Sequence, residues 1–409
     1  MTGALTVYLS AEEAAKRLGV SRQTLYAYVS RGLLQAHPAA DPRQSRYLAD
    51  EVERLGVDRK RGRRPKEVAK STLDWGAPVL ESAITLIRRG RLYYRGQDAV
   101  RLAATATLEE TAALFWACAV ETAFPPEPPV ALPGYDALLP HCAASSPAEA
   151  LPALLLAASA DEATASWRPT DGRFFENCGN LLRLLFAAAL RGRPSAAPLH
   201  CQLATAWGLD EAGADLLRMA LVLCADHELN ASSFTARCIA STGASLRAAV
   251  VGGLCALSGH RHGSTTTRIE HFWAGLTERE TVATQIERRL AAGEKVPGFG
   301  HPLYPSGDVR AKALLARLLP DFPVAAELLG AAEGLTGQAP SIDIALVVLR
   351  RHLGLPEGAA FTLFALGRAA GWIAQAMEQR ATDHLIRPRA IYTGVQPDEP
   401  GGDVVADES

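Results

Sequence analysis

The chain changes character near residue 70. Its first 70 residues carry 14 Lys and Arg against 8 Asp and Glu, whereas the remainder carries 28 against 36. A formal net charge of −2 therefore conceals a basic N-terminal part and an acidic body. A single hydrophobic core does not usually extend through 409 residues, so two or three domains are expected. The body is rich in alanine, and aromatic residues make up only 6% of the chain. Helices packed closely through small side chains fit that balance better than a β-sandwich, and the expected fold class is mostly α. The N-terminus has no basic segment leading into an apolar stretch, and no run of about 18 apolar residues occurs. A soluble, cytoplasmic protein without a membrane partner is the expectation. Seven cysteines (Cys118, Cys142, Cys178, Cys201, Cys224, Cys238 and Cys255) are scattered through mostly apolar segments without a Cys-x-x-Cys pair. They read as buried free thiols in a reducing compartment.

Ser10-Ala-Glu-Glu13 has the spacing of a capping box, in which Ser10 bonds the third helical amide and Glu13 reaches back. The helix opened there begins at Ala11, sets Ala14, Ala15 and Leu18 on one side and ends at Gly19. Ser21 caps a second helix, with Leu25 and Val29 inward and Arg22, Gln23, Tyr26 and Ser30 outward. Two short helices around a Gly-containing turn, the second showing Arg and Gln near its start, form the arrangement that reads base edges in a major groove. Ser45 to Leu55 is expected to add a further helix. From Leu9 to about Leu55 the chain resembles the winged helix-turn-helix domains of the MerR and excisionase type, over residues 1–57. That resemblance implies DNA as a partner, with Arg22, Gln23 and Tyr26 as candidate contacts. A basic run, residues 58–70, follows with Arg59, Lys60, Arg61, Arg63, Arg64, Lys66 and Lys70. Such a run suits phosphates and makes affinity steeply salt-dependent. A solvated linker is the alternative, and association with another protein is a third use of the module.

Three histidines sit in settings that ordinary packing explains poorly: His227 in Ala-Asp-His-Glu-Leu-Asn, His262 in His-Arg-His-Gly-Ser, and His301 in Gly-Phe-Gly-His-Pro-Leu-Tyr. His227 closes a helical stripe through Leu216, Ala220 and Leu223, where taken alone a core histidine is the better reading. His262 lies in a glycine-bounded turn, and His301 follows glycines that let backbone approach a ligand. No His-x-x-x-His or Cys pair accompanies them, so no metal is expected. Asp343, in Pro340-Ser-Ile-Asp-Ile-Ala-Leu, stands at the start of an apolar helix, where a carboxylate serves either the helix dipole or, partly desolvated among Ile342, Ile344 and Leu346, as a base. Arg310, Arg368 and Arg387 add guanidinium groups. Together these residues supply what a site needs to bind a small dicarboxylate and form a carbanion beside it.

From Ser71 onward the chain resembles citrate synthases, on Gly90-Arg-Leu-Tyr-Tyr-Arg-Gly-Gln-Asp98, Thr107 to Trp116 and the histidine and aspartate motifs in the family's order. The resemblance implies a large helical domain (71–230 with 342–395), an inserted small domain (231–341) and, behind them, a flexible acidic tail (396–409). It implies a homodimer that needs no cofactor and uses acetyl-CoA as a substrate. Asp343 would take a proton from the acetyl methyl while His262 donates to the thioester oxygen. His301 would polarise the keto group of oxaloacetate, His227 would help hold it, and Arg310, Arg368 and the partner's Arg387 would bind its carboxylates. 2-Methylcitrate synthase, using propionyl-CoA, is a close variant, and a metabolite-sensing transcriptional regulator on the same scaffold is a rival of another class.

The chain also departs from the family's pattern. His260-Arg-His-Gly-Ser-Thr stands where Pro-Leu-His-Gly-Gly-Ala is usual, Val309 where Pro precedes the arginine, Ile344 where Phe follows the aspartate, and Gln375 where His often follows Gly-Trp. The stretch from His301 to Asp343 is also shorter than usual for the family. Acyl preference is the inference these departures touch most.

Overall fold

The computed structural model describes residues 8–30, 34–38, 45–49, 51–52, 55, 80–160, 172–277, 279–390 and 392–395. The basic run at 58–70 and the acidic tail at 396–409 lie outside the described residues. Packing divides the chain into two compact units, Met1–Glu81 and Ser82–Ser409.

In the first unit, strand β1 (Tyr8–Ser10) leads into helix α1 (Ala11–Leu18), followed by α2 (Arg22–Ser30), β2 (His37–Pro38) and β3 (Ser45–Leu48). The capping box at Ser10 is formed, since the Ser10 amide donates to Glu13 Oε2 at 2.8 Å and the Glu13 amide donates to Ser10 Oγ. Gly19 closes α1 in the left-handed conformation. The Ser45–Leu55 segment corrects the expectation of a helix throughout. Ser45–Leu48 is a strand, the centre of a sheet ordered β1-β3-β2 with antiparallel neighbours, and helical residues begin only at Ala49. Tyr47 stands opposite Leu9 in this register, and both are buried in the unit's own core with Ala14, Leu18, Leu25 and Val52. Pairing to a strand nearly 40 residues away decides the conformation, not local propensity.

The second unit opens with an antiparallel sheet of β4 (Thr85–Arg88), β5 (Arg91–Tyr94) and β6 (Gln97–Asp98) and is otherwise helical. The helices that matter for the site are α3 (Glu211–Cys224), α4 (Ala231–Ser241), α5 (Leu246–Leu257), α6 (Thr265–Ala274), α7 (Val309–Leu318), α8 (Ile342–His352) and α9 (Ala359–Ala381). Helix α9 is the central post: α3, α4, α5 and α8 all pack against it, and nearly all of its residues are buried. Its Ala and Gly content lets these neighbours approach closely. At Gly371 a Cβ would overlap the Ala225 carbonyl, and the Gly371 amide donates to that carbonyl at 3.1 Å. The Ala/Ser stretch from Cys142 to Pro152 is helical from Pro147 onward, with Ser146 and Glu149 forming a capping box. All seven cysteines are free; Cys142, Cys178 and Cys224 are buried as expected, but Cys118, Cys201 and Cys238 are half-buried and Cys255 is exposed. Among the described residues no helix is long and apolar enough to cross a membrane.

Candidate active site

The site grows from three places where helices of the second unit begin or end. Helix α3 stops at Cys224, three residues before His227, so the helical stripe drawn through His227 does not continue that far. The cause is Tyr94 on β5. Its hydroxyl lies 3.1 Å from Val222 O in the last turn of the helix and 3.1 Å from Asp226 O just beyond it. Beyond this cap the backbone turns through Glu228, whose φ of +54° is left-handed, and Asn230 starts α4 by accepting from the Ser232 and Ser233 amides. His227 is thereby lifted off the helix axis. Its Nε2 lies 2.9 Å from Tyr304 Oη, and its ring centroid is 5.1 Å from that of His301.

The second place is the turn 298–304 and the start of α7. Gly298 has a φ of +88°, and any side chain there would strike Ile269 and Ile344, so only glycine lets this strand of backbone lie against α6 and α8. The Gly300 amide donates to Ala339 O and the Ser341 amide to Gly298 O, stitching the turn to the start of α8. The Leu303 amide donates to His301 Nδ1 at 3.2 Å. Asp308 caps α7 and holds Arg310 through two parallel bonds, Nε to Oδ1 at 3.0 Å and Nη2 to Oδ2 at 2.8 Å. Asp308 Oδ2 also accepts from the Ile342 amide at 3.1 Å, which ties Arg310 to the helix that carries Asp343. Asp343 itself accepts from Ser341 Oγ at 3.1 Å.

The third place is the turn before α6. His262 Nε2 lies 2.8 Å from Ser232 Oγ, which also accepts from Trp372 Nε1 at 3.1 Å and lies 2.7 Å from Asn230 Oδ1. The His262 ring meets Phe364 edge-on, and the Arg368 guanidinium covers the same phenyl ring at 4.8 Å. Arg368 Nε donates to Cys224 O at 2.8 Å, another carbonyl at the end of α3, while its Nη2 is buried without a partner among the described residues. A buried guanidinium with an unmet donor is suited to an anionic ligand. Asp226 Oδ1 is likewise buried and unmet, and Asp226 Oδ2 accepts from Gln375 at 3.4 Å.

The electrostatics follow from burial beside fixed cations. Burial pushes His227 well below its ordinary pKa, helped by the charges of Arg310 and Arg368. Burial, with Arg368 nearby, brings His262 down to about 4, and burial, with Arg310 nearby, does the same for His301. All three are neutral at pH 7. Burial raises Asp343 above the usual carboxylate value, with Arg310 opposing, so it is a stronger base than a surface aspartate. Burial works against the charge of Arg310, yet Asp308 holds its pKa above normal. Burial alone would raise Asp308, and Arg310 brings it below normal instead.

His227, His301, Arg310, Arg368, His262 and Asp343 are therefore one electrostatically linked cluster. Arg387 stands apart, exposed in the segment after α9. Sequence reasoning gave no role to Tyr304, Asp308, Asp226, Ser232 or Trp372. The signals available were proximity alone: Tyr304 three residues after His301, Asp308 two before Arg310, Asp226 beside His227. Of the departures, His260 and Arg261 are exposed, Val309 begins α7 directly behind its Asp308 cap, and Gln375 is the buried partner of Asp226. A cavity of about 410 Å³ lined by Phe174, Thr242, Met377, Arg380 and His384 lies outside the cluster. Among the described residues no group of three His, Cys, Asp or Glu side chains is arranged to hold a metal ion. In the first unit, Gln23 and Tyr26 are exposed on α2, and Arg22 pairs with Glu12 at 2.6 Å.

The family model described as citrate synthase, C-terminal domain, matches residues 142–389, and one described as helix-turn-helix domain matches residues 8–55. A citrate synthase of Haloferax volcanii is 36% identical over 203 residues, 45% of this chain and 52% of the relative. A 2-methylcitrate synthase of Corynebacterium glutamicum is 32% identical over 188 residues, 43% of this chain and 49% of the relative. The chain thus spans about half the length of the curated relatives it matches. The crystal structure of citrate synthase from Thermotoga maritima superimposes with a TM-score of 0.65 at 26% identity, covering 79% of this chain and 96% of that one.

Proposed function

Because the chain belongs to the citrate synthase family, we propose that it condenses an acyl-CoA with oxaloacetate, with acetyl-CoA as the acyl donor and citrate and CoA as products. The observation that carries this reading is the buried Arg368, its Nη2 unpartnered beside neutral His227 and His301. Arg368 and Arg310 bind the carboxylates of oxaloacetate, His301 polarises its keto group, and His227 helps hold the anion. Asp343, made more basic by burial, takes a proton from the acyl methyl. His262, neutral and held through Nε2 at Ser232, stabilises the enolate by a hydrogen bond to the thioester oxygen. The enolate carbon attacks the keto carbon, the new alkoxide is protonated, and water cleaves the thioester to release CoA. A homodimer would bring Arg387 of the second copy to the same carboxylates. The reading places no metal or redox cofactor in the reaction.

Product analysis with oxaloacetate and either acetyl-CoA or propionyl-CoA tests the acyl choice. One extra methyl in an apolar pocket changes discrimination by about 10- to 200-fold. Faster turnover of acetyl-CoA is the expected outcome, and a propionyl preference would reassign the chain to 2-methylcitrate synthesis.

A second, compatible reading is favoured by the first unit. Its exposed Gln23 and Tyr26 sit on the second helix of a helix-turn-helix, which binds DNA, and the scaffold then acts as a regulator or a regulated enzyme. The Arg22–Glu12 pair is solvent-exposed, so a phosphate can displace it at little cost. Genomic binding selection with the full-length chain should recover a preferred site whose affinity falls as salt rises and drops in Gln23→Ala. Recovery of random sequence would dismiss this role.

A further inference from the structure

We propose that Tyr304 sets the tautomer of His227, so that the ring presents its N–H at Nδ1 to an anionic oxygen of the ligand. The proposal rests on the synthase reading only for the identity of that oxygen. His227 is 6% exposed and, among the described residues, its ring makes one hydrogen bond, Nε2 to Tyr304 Oη at 2.9 Å. Tyr304 is 2% exposed, and among the described residues His227 is the partner of its hydroxyl.

A neutral imidazole has one N–H and a phenol one O–H, so the pair has two arrangements. In one, Tyr304 donates to a bare Nε2 and the imidazole proton sits on Nδ1. In the other, Nε2–H donates to the phenol, whose own proton then lacks an acceptor in a buried setting, and a bare Nδ1 lone pair confronts whatever anion Arg310 and Arg368 attract. The second arrangement strands a buried donor and sets a lone pair against a negative charge. The first satisfies both groups.

The surroundings hold the pair in that arrangement. Burial pushes the Tyr304 hydroxyl up to about 12, so it keeps its proton, and burial beside two arginines prevents His227 from taking a second one. The Tyr304 ring is fixed by the His301 ring at 5.2 Å, by the Arg310 guanidinium at 5.7 Å and by its own amide, which donates to His301 O at 2.9 Å. Tyr304 is thus a positioning residue that acts through His227.

Nitrogen NMR of the full-length, imidazole-labelled protein without substrate tests this directly, with His227 assigned from its absence in His227→Gln. The expected spectrum has a protonated Nδ1 and an unprotonated Nε2. Tyr304→Phe keeps the ring and its contacts, and should mix the tautomers and raise the oxaloacetate KM about ten-fold, the size of one hydrogen bond, with kcat little changed. A His227 protonated at Nε2 in the unsubstituted protein overturns the proposal, as does a Tyr304→Phe protein with an unchanged tautomer. The spectrum needs no turnover, so an inactive protein would count against the synthase reading while the tautomer is still decided.

Discussion

Arg310 keeps its charge in a position 2% exposed because Asp308 meets two of its nitrogens and is itself fully enclosed. Removing one partner of such a pair leaves an uncompensated buried charge, so the pair behaves as a fixed part of the site. The histidines follow the opposite logic and are buried neutral. His262 has a folded-state pKa near 4 against about 6.5 unfolded. Since the folded value is the lower one, the unfolded chain binds the proton first as pH falls, and stability is lost between about pH 6.5 and 4. Urea unfolding of the unsubstituted protein and of His262→Asn isolates this contribution. The stability advantage of the histidine should shrink between pH 7 and pH 5 by on the order of 2 kcal/mol, less whatever solvent screening removes. A gap that does not move with pH would mean that His262 is not held neutral. The histidines and Asp343 were legible in the chain as isolated residues in unusual settings. Their neighbours Tyr304, Asp308 and Ser232 were not, because what marks them is a distance of about 3 Å across elements far apart in sequence.

Helix starts marked by capping side chains could be read from sequence, as could the glycine end of α1 at Gly19, but the end of α3 could not. Ser10 and Ser21 mark starts through side chains that bond the first free amides, whereas the first amide of α8 is met by Asp308 from another element. The end of α3 depends on Tyr94, a side chain more than 120 residues away, so the apolar stripe continues past the last helical residue. Strand β3 was misread for a similar reason, since its partner β1 lies far back in the chain. Helix α9 makes the energetic consequence measurable. Gly371→Ala pushes a methyl into the Ala225 carbonyl, at the point where α9 supports the His227 loop. Overpacking of this kind costs about 1–3 kcal/mol, and thermal unfolding should show a loss in the upper part of that range. Gly330, on the helix Pro323–Thr336, has open space around its Cβ position, and Gly330→Ala should stabilise by about 0.5–1 kcal/mol. Equal effects of the two substitutions would contradict the close approach of α9 to the end of α3.

At the scale of the whole molecule, the boundary between the two compact units, Glu81 to Ser82, lies a short way beyond the change of charge near residue 70. A small winged helix-turn-helix with its own core precedes a helical body that carries every residue of the candidate active site. That division was visible in composition, because a basic module and an acidic, alanine-rich body need different side chains on their surfaces and in their cores. In the proposed reaction the chemistry belongs to the body and Asp343 serves as the base. The most direct measurement is citrate formation from acetyl-CoA and oxaloacetate by the full-length protein beside Asp343→Asn, with citrate itself quantified because an exposed thiol such as Cys255 would react with a thiol reagent. The unsubstituted protein should release citrate and CoA in equal amounts, and Asp343→Asn should lose activity by about 100- to 10,000-fold, the usual worth of a positioned base. Citrate formation that survives intact in Asp343→Asn, or no product from either acyl-CoA with a folded unsubstituted protein, would contradict a synthase built on this site.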